Sequence, residues 1–174
     1  MLLPFLKPGA RVLDVGSGSG YLSAVLYHLI QEPEDPRNAE GKLYGIEHVP
    51  ELVDWSCANL RKDGLDAAVD EGKINIVAGD GREGAHRSIL SSDHSCMCLT
   101  ALPGSPDNGP FDAIHVGAAA PHMPPALVQQ LASPGRMFIP VGTQFQQVFQ
   151  VDKDASGNVT ETPLLDVLVR ISFN

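Results

Sequence analysis

Arg11-Val-Leu-Asp-Val-Gly-Ser-Gly-Ser-Gly-Tyr-Leu22 is the stretch from which the rest of the chain is read. Val12 to Val15 is a short apolar run with one acid in it, and it stops abruptly at Gly16. Gly16, Gly18 and Gly20 then alternate with Ser17 and Ser19 before an apolar helical pattern resumes at Tyr21. A buried strand that ends in glycines and turns straight into a helix lets a ligand approach the backbone closely. The helix start behind it offers unpaired N–H groups. In open parallel sheets such turns hold nucleotide-like ligands at the carboxyl end of a strand.

The spacing Gly16-x-Gly18-x-Gly20 departs from the dinucleotide fingerprint G-x-G-x-x-G, and Asp14 lies two residues before the first glycine. A pyrophosphate needs N–H donors and positive potential, so an acid in this turn would repel it. S-adenosylmethionine carries no phosphate, and its sulfonium and α-amino group are both cationic. An acid beside the glycine turn suits that ligand better.

Working outward, Tyr21 to Gln31 places Leu22, Val25, Leu26, Leu29 and Ile30 at helical spacing, which predicts a helix with that stripe turned inward. Residues 32–40, with Pro33 and Pro36, read as a surface loop. Leu43 to Glu47 is a second strand, and Pro50 opens a second helix to about Asp63, with Trp55 at the edge of its apolar stripe. Ile74 to Ala78 and Phe111 to Val116 are the third and fourth strands. Pro124 to Leu131 is a short helix and Arg136 to Val141 the fifth strand. Gln147 to Val151 and Leu165 to Phe173 are further strand candidates around a turn at Asp154 to Asn158. Strands alternating with helices imply an α/β, Rossmann-like, doubly wound and mostly parallel sheet. The last two strands have no helix between them and should form an antiparallel edge.

The 174 residues suit one domain, read as spanning 1–174 with a flexible insertion at 85–109, where Ser, Asp, Pro, Gly and Cys replace any periodicity. A net charge of −9 argues against nucleic acid and against an anionic membrane surface. The apolar start Met1 to Leu6 is too short for a signal sequence and reads as the end of a helix. Cys57, Cys96 and Cys98 are an odd number, which favours free thiols in a reducing compartment and hence a cytoplasmic monomer. Cys96 and Cys98 lack a partner pair at metal spacing, so no metal site is expected, although His86 and His94 share their loop.

In a parallel sheet the strand C-termini share one edge, so Asp14, Glu47 and Asp80 should converge on one crevice. An acid ending the second strand can accept hydrogen bonds from both ribose hydroxyls, and Asp80 can accept from an adenine amino group. His48 reads as a turn residue beside the ligand, His115 as a mid-strand core residue, and Arg82 as a partner for Asp80.

Val12-Leu-Asp-Val-Gly-Ser-Gly-Ser-Gly20 resembles the first motif of class I methyltransferases. Gly45-Ile-Glu-His48, Gly79-Asp-Gly-Arg82, Phe111-Asp-Ala-Ile-His-Val-Gly-Ala-Ala-Ala-Pro121 and Ile139-Pro-Val-Gly142 narrow the resemblance to the protein-L-isoaspartate O-methyltransferase family. The resemblance implies methyl transfer from S-adenosyl-L-methionine to the carboxylate of isoaspartyl residues in damaged proteins. Gly16, Ser17, Gly18 and Ser19 would cradle the methionine part with Asp14 anchoring the turn. Glu47 and His48 would meet the ribose, and Asp80 with Gly81 the adenine. No catalytic residue is singled out, because a carboxylate nucleophile is already ionised at neutral pH. Family members carry a segment before the first strand that has no counterpart here, which leaves two alternatives. One is a weakly active or inactive S-adenosylmethionine-binding homologue; the other is a methyltransferase with a different substrate.

Overall fold

The computed structural model describes residues 2–31, 41–84 and 108–167. Seven strands form one sheet: β1 (Arg11–Val15), β2 (Lys42–Glu47), β3 (Ile74–Ala78), β4 (Phe111–Val116), β5 (Leu131–Gly142), β6 (Gln146–Lys153) and β7 (Val159–Val167). Their order is β3-β2-β1-β4-β5-β6-β7. The β1–β2, β2–β3, β1–β4 and β4–β5 pairs are parallel, whereas β5–β6 and β6–β7 are antiparallel. The Rossmann-like reading and its antiparallel edge therefore hold. The order reverses between β1 and β4, which opens a crevice beyond their carboxyl ends, where the glycine turn lies.

The helices are α1 (Tyr21–Leu29), α2 (Pro50–Lys62), α3 (Asp66–Asp70) and α4 (Pro125–Gln130). Alternation along each strand feeds two cores. Val12, Leu43, Ile74 and Ile76 pack with Leu26, Tyr27, Val53 and Leu60 of α1 and α2. Leu13, Val15 and Ile114 face the other way, toward Leu127 of α4 and Met137. Each fully buried aliphatic side chain contributes about 1.5–3 kcal/mol by leaving water. The period-2 alternation places Asp14 on the same sheet face as Val12, the α1 side.

Several elements differ from the sequence reading. The inward face of α1 is Ser23, Ala24, Leu26 and Tyr27, while Val25 and Leu29 are 37% and 42% exposed. The helix is rotated because small residues at 23 and 24 let it approach the sheet closely. Trp55 stands half exposed on the outside of α2. A short helix, α3, with Ala68 and Val69 buried, occupies a stretch to which the sequence reading assigned no element. The apolar start forms a single 3-10 turn at Leu3–Phe5. The fifth strand begins at Leu131, directly after α4: Leu131 pairs with Phe111 and Arg136 with Ala113, so residues 132–135 bulge out of the ladder. The last strand begins at Val159, just beyond the Asp154 turn, because hairpin register is set at the turn. Residues 168–174 and 85–107, the latter including Cys96, Cys98 and most of the expected insertion, lie outside the described residues. Among the described residues no helix is long and apolar enough to cross a membrane.

Two glycines are required where the turn meets its neighbours. Gly45 on β2 is buried, and a Cβ there would lie 3.0 Å from Ile76 Cγ1 and 3.3 Å from Ser17 Cβ. Gly20 has φ 80°, and its Cβ would lie 3.1 Å from that of Ser56 on α2. Gly20→Ala should therefore lose about 1–3 kcal/mol from left-handed backbone strain alone. Urea unfolding of both forms measures it, and an unchanged midpoint would show that α1 starts elsewhere.

Candidate functional site

The glycine turn is tied down from every side. The N–H groups of Gly16 and Ser17 both donate to the Ile46 carbonyl, at 2.7 and 3.2 Å, and Gly20 N–H donates to the Ser17 carbonyl at 2.9 Å. Gly18 N–H donates to Glu47 Oε2 at 3.0 Å. From α2, the Asn59 side-chain amide donates to the Ser19 carbonyl at 3.0 Å. These bonds engage the N–H groups of Gly16, Ser17, Gly18 and Gly20, which a pyrophosphate cradle would need free.

Glu47 ends β2 and is 5% exposed. Its second oxygen accepts from Val49 N–H at 3.1 Å and lies 3.2 Å from His48 Nδ1, whose side chain is 55% exposed. Asp80 follows β3, the strand parallel to β2, and caps the 3-10 turn Gly81–Glu83 by accepting from Arg82 N–H at 2.9 Å. The Arg82 guanidinium also grips both carboxyl oxygens, at 2.6 to 3.0 Å. The Arg82 hydrogen bonds, against some desolvation and with help from His48, hold the Asp80 carboxyl below its ordinary range. Glu47 and His48, and Asp80 and Gly81, thus follow the neighbouring strands β2 and β3, and Glu47 bonds the glycine turn at Gly18. Arg82 takes the structural partner expected of it.

Asp14 sits beneath the turn at 1% exposure. Its Oδ2 accepts from the Ser23 hydroxyl of α1 at 2.6 Å, and its Oδ1 lies 2.9 Å from His115 Nδ1 of β4. His115 is not the mid-strand core residue expected from the sequence: it is the penultimate residue of β4, its side chain is 28% exposed, and it is held by this bond, while Ser23 carried no sequence signal. The one signal for His115 was topological: β1 and β4 are neighbours in this class of sheet, and both residues stand near their carboxyl ends. Ser17 is 6% exposed, and its hydroxyl has no hydrogen-bond partner among the described residues. A buried hydroxyl without a partner carries a desolvation cost that a ligand can relieve. Among the described residues no three His, Cys, Asp or Glu side chains form a metal-binding group. A groove of about 510 Å³ runs from Ser19 and Gly20 of the glycine turn between α1 and α2, past Tyr21, His28, Asn59 and Asp63, and does not include Glu47 or Asp80.

Comparison with known proteins follows the same residues. The sequence profile of protein-L-isoaspartate(D-aspartate) O-methyltransferase matches residues 1–89 and 95–170. The chain belongs to this family. It is 40% identical over 160 residues to protein-L-isoaspartate O-methyltransferase 1 of Arabidopsis thaliana, covering 92% of the chain and 58% of the relative. To the protein-L-isoaspartate O-methyltransferase of Methanococcoides burtonii it is 36% identical over 163 residues, covering 94% of the chain and 64% of the relative. It therefore spans less than two thirds of the length of these isoaspartate methyltransferases. A crystal structure from Plasmodium falciparum, described as a protein-L-isoaspartate O-methyltransferase in complex with S-adenosyl-L-homocysteine, superimposes with TM-score 0.74 at 27% identity, covering 99% of this chain and 69% of that one. A second solved protein-L-isoaspartate O-methyltransferase superimposes with TM-score 0.70, covering 97% of this chain and 43% of that one. Its 21% identity speaks to the fold alone.

The depressed Asp80 pKa has a signed consequence. An aspartate whose folded pKa is lowered stabilises the fold above its unfolded value, about 3.9, and that contribution disappears as pH falls through the folded value. Asp80→Asn should cost under about 1 kcal/mol at neutral pH, since the Arg82 pair is partly exposed. The difference from the parent should shrink in denaturant titrations as the pH falls below the unfolded value of about 3.9 and through the lowered folded one. A gap that stays constant with pH would mean that the pair contributes nothing electrostatic.

Proposed function

We propose that the chain, read as one domain over 1–174 with an insertion at 85–109, binds S-adenosyl-L-methionine and methylates the carboxylate of isoaspartyl residues in damaged proteins. The observation that carries this reading is Glu47 bonded to a glycine turn in which the N–H groups of Gly16, Ser17, Gly18 and Gly20 already have partners inside the protein, with Asp80 following the neighbouring strand β3. A phosphate would find carboxyl groups here and few donors. A nucleoside bearing a sulfonium and an ammonium group finds acceptors for its hydroxyls and an acidic surrounding for its charges.

In this reading Gly16, Ser17, Gly18 and Ser19 hold the methionine part, and the Ser17 hydroxyl gains the partner it otherwise lacks. Glu47 accepts from the ribose hydroxyls while Gly18 and Val49 keep its carboxyl in place. His48 borders the ribose, and Asp80 with Gly81 takes the adenine amino edge. Asp14 anchors the turn from below. S-adenosylmethionine supplies a methyl group on a sulfonium, which a carboxylate takes by in-line displacement as the electron pair of the broken bond stays on sulfur. The acceptor is ionised at neutral pH, so no residue has to remove a proton. The chain's own work is alignment, worth several powers of ten in rate, and exclusion of water from the reacting groups. Family membership and the names of the relatives support the isoaspartyl substrate. We also read the protein as a cytoplasmic monomer whose partners are other proteins, with no role for nucleic acid or membranes, from its cysteines and its charge of −9.

Titration calorimetry with S-adenosylmethionine and with NAD, followed by labelled-methyl transfer to an isoaspartyl peptide and its aspartyl twin, tests the reading. The expected outcome is binding of S-adenosylmethionine alone and labelling of the isoaspartyl peptide alone. Glu47→Ala should weaken binding by about 1.5–3 kcal/mol with the circular dichroism unchanged. Binding of NAD, or equal labelling of both peptides, would refute it.

A further inference from the structure

The Asp14 carboxyl group is among the most buried polar groups described in this chain, and neither of its partners is adjacent in sequence. Ser23 lies nine residues away on α1, and His115 lies 101 residues away on β4. A carboxylate only accepts, so His115 serves Asp14 as a donor in the tautomer that carries its proton on Nδ1, 2.9 Å away. The bond is parallel to the sheet's own register, in which Asp14 pairs with His115 across β1 and β4. One carboxyl group thereby joins three elements at the point where the strand order reverses: the end of β1, the first turn of α1 and the end of β4.

Those three elements are the walls of the crevice. Gly16 follows Asp14 by two residues, and Gly117 follows His115 by two. Gly117 N–H donates to the Val15 carbonyl at 2.8 Å, and a Cβ on Gly16 would lie 3.9 Å from Gly117. The His115 side chain is 28% exposed, so its ring is fixed at the buried Nδ1 edge and reaches solvent elsewhere. A Cβ on Gly117 would lie 3.5 Å from its Cε1, which puts that ring edge beside the crevice. Its neighbour on the same face of β4, Ala113, belongs to the α1-side core, whereas the ring of His115 is committed to the Asp14 carboxyl group.

We propose that His115 and Ser23 are positioning residues for the glycine turn: by clamping Asp14 from both sides they fix the turn and the spacing between the β1 and β4 ends. Loss of either donor leaves an acceptor of a buried carboxyl group unsatisfied, which costs enough to move the strand end. The turn's outward face would shift with it. The consequence for ligand affinity rests on the proposed S-adenosylmethionine reading, whereas the consequence for the turn itself does not.

The test uses the full chain and three variants, His115→Leu, Ser23→Ala and His115→Asn. The asparagine amide can place its nitrogen near the position of Nδ1 and so keeps the donor. Two readouts separate the claims: the backbone amide resonances of Gly16, Gly18 and Gly20 in the free chain, and calorimetric titration with S-adenosyl-L-homocysteine. His115→Leu and Ser23→Ala should move the three resonances and weaken S-adenosyl-L-homocysteine by about tenfold or more. His115→Asn should restore the resonances and lie within about threefold of the parent. If His115→Leu does not fold, Ser23→Ala carries the comparison. Unmoved resonances in both donor-deleted forms, or a His115→Asn form that behaves like His115→Leu, would overturn the proposal. Donor-deleted forms whose resonances move, in a parent chain that binds no S-adenosyl-L-homocysteine, would refute the functional reading and uphold the positioning role. A parent that binds while its donor-deleted variants bind equally well would do the reverse.

Discussion

The buried carboxyl group of Asp14 is the constraint on which the rest of this structure depends. A carboxyl group at 1% exposure is costly unless its oxygens have donors, and it finds them on α1 and β4. The requirement is local in energy but long-range in sequence, since it brings residues 14 and 115 together at the reversal of strand order. The glycine turn inherits its position from that junction. The N–H groups of Gly16, Ser17 and Gly18 and the Ser19 carbonyl are then taken up by Ile46, Glu47 and Asn59, which leaves the Ser17 hydroxyl unpartnered among the described residues. A loop so arranged discriminates by charge: it has few free donors for an anion and has carboxyl groups nearby for a cation.

Glu47 shows how one side chain serves both the fold and the site. It takes Gly18 N–H on one oxygen and Val49 N–H on the other, so it links the turn to the start of α2. A carboxyl group has about four acceptor sites, and the protein's own donors leave capacity for a ligand's hydroxyls. Asp80 is in a different position. Both of its oxygens are held by Arg82, so a ligand amino group there must share the carboxyl with a guanidinium.

Much of this was legible in the sequence. The apolar run broken by alternating glycines placed β1 and α1, and acids at the ends of the second and third strands placed Glu47 and Asp80 at one edge. Patterns of period 2 and 3.6 carry that information because they report burial directly. They are silent on hydrogen bonds between distant residues, so the Ser23–Asp14–His115 chain was not read, although the pairing of β1 with β4 offered a topological signal for His115. The α1 face was misread because Val25 and Leu29 are apolar yet exposed, while the inward face uses Ser23 and Ala24. The start of β7 was misread because Thr160, Glu161 and Thr162 are polar on an exposed edge strand, where burial leaves no alternation to detect.

The central claim is that the glycine turn, Glu47 and Asp80 form one cofactor site clamped from beneath by Asp14. A crystal structure of this chain with S-adenosyl-L-homocysteine tests it most directly. The account predicts the ribose hydroxyls within hydrogen-bond distance of Glu47, the adenine amino group beside Asp80, and the homocysteine chain over residues 16–19 with Ser17 hydroxyl engaged. The ligand in the groove between α1 and α2, or in the crevice without contact to Glu47, would contradict it.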